Sequence, residues 1–416
     1  MPRPEDVGLS SERLARIDSH LKRRYLDPGK IPGALTLVHR RGEIAWLSPL
    51  GLMDRERGVP MAADTIFRIY SMSKPVTSVA LMMLYEHGHF QLDDAVHKLI
   101  PEWRDLRVYE TGGHPHFATR PCERPMTIRD LLTHMSGLTY GFMEQSNVDA
   151  AYRKLGIGVL GKHFDGTLRE MVETLGSLPL EFSPGTAWNY SVSTDVLGYL
   201  VEVLSGERFD EYLRRHIFEP LGMVDTGFQV RPDQVERFAA CYERDRRKRV
   251  RLQDDPQKSP YLGSPKFLSG GGGLVSTAAD YLRFCRMLLG GGELDGVRLL
   301  GPRTIELMTR NHLPGGCDLK KLARGRFSET TYEGVGFGLG FSVTLDLVAA
   351  QSVGSTGEYA WGGAASTAFW IDPAEDLIVI FLTQHLPSWS FNFRGQLKAI
   401  IYPAIVDGSA GRGGSR

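Results

Sequence analysis

Ser71-Met72-Ser73-Lys74 sets a hydroxyl and an amine three positions apart in a chain of 416 residues. Residues three apart on a helix share a face, so the Lys74 amine can reach the Ser71 hydroxyl. A serine needs an adjacent base to become a nucleophile, and a partly desolvated lysine can help to supply one. The pattern opens a stretch in which Val76, Val79, Ala80, Met83 and Leu84 predict a helix over 75–84. A helix N-terminus also offers free N–H groups and positive partial charge to a developing oxyanion. The pattern alone is weak, because about one Ser-x-x-Lys is expected by chance at this length. Ser19-His20-Leu21-Lys22 fits equally well, but it lies in a predicted N-terminal amphipathic helix with no accompanying constellation and reads as a solvated face.

Two further segments carry chemistry only in company. Taken alone, Trp188-Asn189-Tyr190-Ser191-Val192-Ser193 reads as a packing tyrosine in a loop. Glu358-Tyr359-Ala360-Trp361-Gly362-Gly363-Ala364 reads as a turn entering a strand. Other candidates are weaker. There is no Gly-x-Ser-x-Gly, Walker A or His-Glu-x-x-His motif. Ser269-Gly270-Gly271-Gly272-Gly273 lacks a phosphate-binding pattern and predicts close backbone packing beside a cleft. His114-Pro115-His116 and His87-Gly88-His89 have no third ligand at a useful spacing, so no metal is assigned. His134 beside Ser136 resembles a nucleophile–base pair only superficially. The run Arg244-Asp245-Arg246-Arg247-Lys248-Arg249-Val250-Arg251 predicts a solvated turn between edge strands, not a nucleic-acid contact.

The elements around these residues form a simple order. Leu14, Ile17 and Leu21 give a helix over about 10–25, and strands follow over 34–39 and 43–48, joined at Arg40-Arg41-Gly42. Helical patterns and loops then dominate to about residue 300, with helices over 128–134, 168–175, 195–204, 209–218 and 278–289. Strand spacing returns over 337–345, 366–371 and 377–384, with a closing helix over 396–406 and a frayed tail at 408–416. The simplest architecture is α+β, with the first and last strands paired into one antiparallel sheet flanked by helices. That divides the chain into a discontinuous sheet domain, 1–65 with 330–416, and an inserted, mainly helical domain, 66–329. The length exceeds the roughly 250–300 residues at which one core usually divides.

Together these motifs resemble the serine hydrolases of the class C β-lactamase superfamily, closest to its esterase branch, the family VIII carboxylesterases. The similar stretches run nearly end to end. They include Ile31-Pro32-Gly33-Ala34, then Asp64-Thr65-Ile66-Phe67-Arg68 leading into Ser71-Met72-Ser73-Lys74, and Leu92-Asp93-Asp94. They continue through 127–138, Pro184-Gly185-Thr186 with Tyr190-Ser191, Pro220-Leu221-Gly222-Met223, 270–279 and Trp361-Gly362-Gly363. The resemblance implies a β-lactamase/penicillin-binding-protein-like fold with Ser71 as the acylated nucleophile. It implies Lys74 and Tyr190 as the joint general base, and the backbone N–H groups of Ser71 and Ala364 as the oxyanion hole. It also makes the segment around His134 structural, with Tyr140 on the cleft rim.

The departures from the family pattern point to the substrate. Class C β-lactamases have Tyr-x-Asn and Lys-Thr-Gly where this chain has Val192 and Trp361-Gly362. The missing side chains would hold a β-lactam amide and carboxylate, in charge-assisted bonds worth about 1.5–3 kcal/mol each. An indole there predicts an apolar wall, so Trp361, Gly362, Gly363 and Tyr140 are the expected substrate-binding residues. The expectation is a serine carboxylesterase for small short-chain esters, with weak hydrolysis of some cephalosporins left open and no metal or organic cofactor. An acyltransferase using the same acyl-enzyme and a non-catalytic penicillin-recognising protein are the alternatives. Forty-nine basic residues balance 49 acidic ones, which argues against nucleic acid or an anionic membrane as partner. No stretch approaches the ~20 apolar residues of a membrane helix, no apolar signal-peptide core follows Met1, and the four cysteines form no CxxC. A cytoplasmic protein with reduced cysteines is expected.

Overall fold

The structure, a computed structural model, describes residues 2–161, 164–325 and 330–407. The helices that bear on the site are α1 (Ser11–Leu21), α2 (Ser73–Glu86), α3 (Ser193–Ser205), α4 (Ala278–Leu289) and α5 (Phe393–Ile401). The main sheet is built from β1 (Gly33–Arg40), β2 (Glu43–Asp54), β3 (Val59–Pro60), β4 (Val335–Phe337), β5 (Ser342–Thr344), β6 (Tyr359–Gly362), β7 (Ala368–Asp372) and β8 (Leu377–Leu382).

All of β1 is buried, which requires cover on both faces of the sheet. The order is β4-β5-β6-β7-β8-β1-β2-β3, antiparallel throughout. Strands from before residue 61 and after residue 334 thus meet at β1–β8, where Leu35 pairs with Leu382 and Leu37 with Ile380. Successive side chains alternate between faces. Ala34, Val38, Val379 and Phe381 pack with Leu14, Ile17 and Leu21 of α1 and with Leu397 and Ile401 of α5. Leu35, Leu37, Ile378 and Ile380 face the other way, into the core shared with α2 and α4.

Helix α2 is the centre of that second core. Every residue from Ser73 to Leu84 is buried, as a helix without a polar face must be. Its first turn is pinned by side chains: Tyr281 Oη of α4 donates to Met72 O at 2.9 Å, and Leu274 N donates to Ser73 Oγ at 3.1 Å.

The expected antiparallel sheet, its flanking helices and the helix 278–289 are all present. Three differences are instructive. The single strand expected over 337–345 is the hairpin β4–β5. Gly338 N bonds Phe341 O to close its turn, and Gly340 takes φ 101°. A Cβ at Gly340 would lie 2.3 Å from Ser78 Oγ of α2, so the turn abuts the central helix. A hairpin, Arg107–Gly113 with His116–Pro121, interrupts the expected helical stretch. It is mostly exposed and carries no apolar alternation to announce it. The closing helix ends at Ile401 rather than 406, with a 3₁₀ turn over Tyr402–Ala404 in which Pro403 cannot continue the ladder. The tail 408–416 lies outside the described residues. Arg249 and Arg251 of the basic run both reach Asp245, in the turn between Cys241–Arg244 and Val250–Asp254. Among the described residues no helix is long and apolar enough to cross a membrane.

Three residues before Ser71, the fully buried Arg68 ties the segment that enters α2 to its surroundings. Its guanidinium reaches Asp254 at 2.6 Å, Ala239 O at 2.6 Å and Gln384 Oε1 at 3.2 Å, and it stacks 3.9 Å over the Phe238 ring. Removing one partner of a buried pair leaves an uncompensated charge, which typically costs 3–5 kcal/mol. Arg68→Ala should therefore lower unfolding stability by about 3–5 kcal/mol in urea titrations. The apolar pair Arg68→Met with Asp254→Leu should recover most of that loss.

Candidate active site

Ser71 lies in the 3₁₀ turn Tyr70–Met72 that leads into α2. Tyr70 has φ 44°, a left-handed conformation that costs a side-chain-bearing residue roughly 1–2 kcal/mol. Ile69 N bonds Leu274 O at 3.1 Å, and the Tyr70 hydroxyl points to Cys241 Sγ at 3.9 Å. With its neighbours so anchored, the chain turns sharply and leaves Ser71 facing a cleft while Met72 onward is buried.

Two side chains converge on the Ser71 hydroxyl. Lys74 Nζ lies 3.1 Å from Ser71 Oγ and donates to Gly271 O at 2.6 Å. Tyr190 Oη lies 2.7 Å from the same Oγ, and Lys74 Nζ stands 4.5 Å from the Tyr190 ring centroid. Lys74 is 2% exposed and Tyr190 1%, so this cluster works at low dielectric, where charge-assisted bonds gain strength. Tyr190 is placed by the segment before α3, in which Asn189 N bonds His134 O at 2.9 Å and Val192 N bonds Thr139 O at 3.2 Å. Rings of Tyr140, His134 and Trp361 lie 5.1, 5.0 and 5.6 Å from the Tyr190 ring and fix its orientation.

The glycine run packs closely, as expected, and contributes its carbonyls. Gly270 O accepts from Thr77 Oγ1 at 2.8 Å, and Gly271 O accepts from Lys74. Asp195 Oδ1 receives Ser269 Oγ at 2.6 Å and Gly271 N at 3.0 Å. A Cβ at Gly271 would sit 2.8 Å from Tyr140 Oη and 2.9 Å from Asp195 Oδ2. Burial raises the Asp195 carboxyl above its ordinary value, against the bonds from Ser269 and Gly271 and the charge of Lys74.

Ala364 arrives from the far end of the chain. After β6, the turn 363–367 is closed by Gly363 N to Thr367 O at 2.8 Å and Ser366 N to Gly363 O at 3.0 Å. Ser366 Oγ donates to His385 O at 2.7 Å, and His385 N bonds Ala365 O at 3.0 Å. A Cβ on Gly363 would lie 2.4 Å from Ile69 O, so only glycine lets this turn approach the Ser71 segment. Ala364 and Ser71 consequently line the same cleft, an arrangement that can aim two backbone amides at one developing oxyanion.

Of the expected substrate-binding residues, Tyr140 lines the cleft; Trp361, Gly362 and Gly363 do not. The Trp361 indole lies behind Tyr190, fully buried and 5.3 Å from the Phe337 ring. It shares the inward face of β6 with Tyr359 and supports the site from within the core. The apolar wall is built instead by Phe142, Val159, Leu160, Phe164, Phe267 and Trp389, around a cavity of about 290 Å³. Leu160 (39% exposed) and Trp389 (60% exposed) are the open ends of that wall. Among the described residues, no lysine, arginine or histidine lines it. These wall residues lie on loops and short 3₁₀ turns, where no periodicity marks them.

His134 is a structural residue. Its Nδ1 lies 3.1 Å from Ser191 Oγ, while Ser136 Oγ bonds Ser193 Oγ at 2.7 Å, so no His134–Ser136 pair forms. Burial, with Lys74's charge second, holds the His134 imidazole well below its ordinary value and neutral. Ser19 Oγ bonds Ala15 O of its own helix at 3.2 Å. All four cysteines are free, Cys241 and Cys285 being buried. No cluster of three or more metal-ligating side chains occurs among the described residues.

Comparison with known proteins gives one consistent result. The family described as Beta-lactamase matches residues 20–402. An uncharacterised protein of Mycobacterium tuberculosis is 38% identical over 371 residues, 88% of this chain and 89% of its own. Esterase EstB of Burkholderia gladioli is 32% identical over 396 residues, 91% of each chain. The solved structure of EstCE1, described as a hydrolase with promiscuous acyltransferase activity, superposes with a TM-score of 0.78. It is 27% identical and covers 95% of this chain and 99% of its own.

The turn that carries Ala364 leans on a histidine whose titration can be followed. Burial, then the charge of Arg244, pushes His385 down to about 4, and its ring stacks on Phe391 at 5.3 Å. The unfolded chain takes up this proton near pH 6.5. The contribution of neutral His385 is therefore fully present above that pH and is lost as pH falls towards about 4. Between pH 7 and 5 the native protein should lose about 2 kcal/mol more unfolding stability than His385→Phe, measured by urea titration at each pH.

Proposed function

The chain belongs to the beta-lactamase family as a serine hydrolase of carboxylic esters, and we propose that Ser71 carries the acyl group of small, neutral, short-chain esters. The observation that carries this reading is the meeting of Lys74 Nζ and Tyr190 Oη on Ser71 Oγ, at 3.1 and 2.7 Å. Ser71 Oγ attacks the ester carbonyl and gives up its proton to the Lys74–Tyr190 pair. The carbonyl oxygen becomes an oxyanion between the amides of Ser71 and Ala364. Collapse of the tetrahedral intermediate breaks the bond to the alkoxide, which takes a proton from Tyr190 and leaves as the alcohol. A water then repeats the sequence on the acyl-enzyme, releasing the acid and restoring the Ser71 hydroxyl.

The preference for neutral esters follows from the wall. Lys74 lies beneath the cleft and is bonded to Gly271 O and Ser71, and among the described residues no other cation lines it to hold a substrate carboxylate. Val192 is part of the lining where a β-lactamase would present an amide. On this reading β-lactams turn over weakly, because the charge-assisted contacts that hold them are missing. The small cavity and its aromatic rim favour short acyl chains.

Acyl transfer is the second reading, favoured by the apolar rim of Phe142, Leu160 and Trp389, which can seat an alcohol acceptor and exclude water from the acyl-enzyme. EstCE1, a hydrolase with promiscuous acyltransferase activity, is compatible with either outcome.

Ser71→Ala should lower p-nitrophenyl butyrate turnover by roughly 10³-fold or more, and Ser19→Ala should leave it unchanged. A phosphonate inhibitor should add its mass to the peptide containing Ser71, and label elsewhere would refute the assignment. In a separate assay, a primary alcohol added to the ester should divert product from acid to new ester if the acyltransferase reading holds. An unchanged acid yield leaves hydrolysis alone.

A further inference from the structure

We propose that Asp195 is a positioning residue for the Ser71, Lys74 and Tyr190 set, acting through Gly271 to hold the Lys74 amine on line with Ser71. The inference rests on the reading of Ser71 as nucleophile and goes beyond it. Asp195 stands in the first turn of α3, five residues after Tyr190, and is 3% exposed. A carboxylate so buried is costly unless its charge is matched. Its match lies across a single residue: Gly271 N donates to Asp195 Oδ1 at 3.0 Å, and Gly271 O accepts from Lys74 Nζ at 2.6 Å. Ser269 Oγ, two positions earlier, fixes the same oxygen at 2.6 Å. With one ammonium proton committed to Gly271 O, another is left on the 3.1 Å line to Ser71 Oγ.

The charge acts as well as the geometry. The titratable groups facing Lys74 and Tyr190 are His134 and Tyr140, which pack on the Tyr190 ring, and Asp195 behind Gly271. Burial keeps His134 and Tyr140 neutral. Asp254, on the cleft wall, is already paired with Arg68. Asp195 is therefore the neighbour whose negative charge bears on the pair, favouring its protonated form. Removing that charge lets the pair release its proton at lower pH.

The test is Asp195→Asn in the full chain, assayed on p-nitrophenyl butyrate across pH. The amide keeps the shape and the Oδ1 acceptor for Ser269 and Gly271, removes the charge and puts an NH2 group in place of Oδ2. The expected result is a kcat about 10- to 100-fold lower with KM within about threefold. The acid limb of kcat/KM should move down by about 0.5 pH unit or more. An unmoved acid limb, whether kcat falls or not, overturns the proposal, because a purely packing role would not move it. Ser269→Ala keeps the charge but loosens the carboxylate. It should lower kcat by about three- to tenfold with the limb in place, and wild-type kcat there also counts against the proposal even if Asp195→Asn fails to fold. Ser71→Ala run alongside separates the two readings. If it keeps activity, the nucleophile is misassigned. If it is dead while Asp195→Asn behaves as wild type, only the present inference fails.

Discussion

A lysine amine buried at the start of a buried helix has to be matched on every side, and most of what surrounds Ser71 answers that requirement. Lys74 meets a hydroxyl, a carbonyl and an aromatic face at Ser71, Gly271 and Tyr190. Each partner comes from a different stretch of chain. The carbonyl is offered because Gly271 packs against Tyr140 and Asp195 with no room for a side chain. The aromatic face is offered because Tyr190 is wedged among Tyr140, His134 and Trp361. Desolvation would otherwise favour the neutral amine, so the ring of partners and the reactivity of the site have one physical origin.

A second constraint is close backbone approach. For Ala364 to line the cleft beside Ser71, the turn after β6 has to touch the segment before Ser71, and Gly363 against Ile69 O is where that happens. The turn itself is held from outside the cleft, by Ser366 and the backbone of His385. On the other flank, the buried Arg68 fastens the nucleophile segment to Asp254, Ala239 and Gln384. The site is thus gripped on two sides by polar interactions that are themselves out of solvent. The left-handed Tyr70 between them is tolerated because both neighbours are tied down.

Legibility in the sequence followed the range of the interactions. Ser71 and Lys74 are three apart across the 3₁₀ turn that runs into α2, so their meeting could be read from spacing. Helix 278–289 and the β1–β2 hairpin were equally plain, because their apolar periods are local. Tyr190 and Ala364 carried no such signal, and family resemblance alone pointed to them. Trp361 was misplaced because the residue pattern cannot say which face of β6 looks into the cleft; in the fold it lies on the face that packs into the core. The walls, Phe142 and Phe164 among them, sit on loops whose order comes from tertiary packing. The exposed hairpin 107–121 lacks the alternation that burial of one face would have written into it, and the split of 337–345 turned on the glycine that must clear Ser78.

The pairing of β1 with β8 has a consequence for how the protein is made. Thr383 Oγ1 bonds Gly33 O across 350 positions of chain. A ribosome therefore releases β1, Ser71 and Lys74 long before the strand that covers the edge of β1 and the turn that brings Ala364. Until then a strand that is wholly buried in the finished fold has an open edge, the template on which chains associate wrongly. Nor has Ser71 yet met Ala364, which lines the same cleft in the finished fold. The cleft is thus complete only at the end of synthesis.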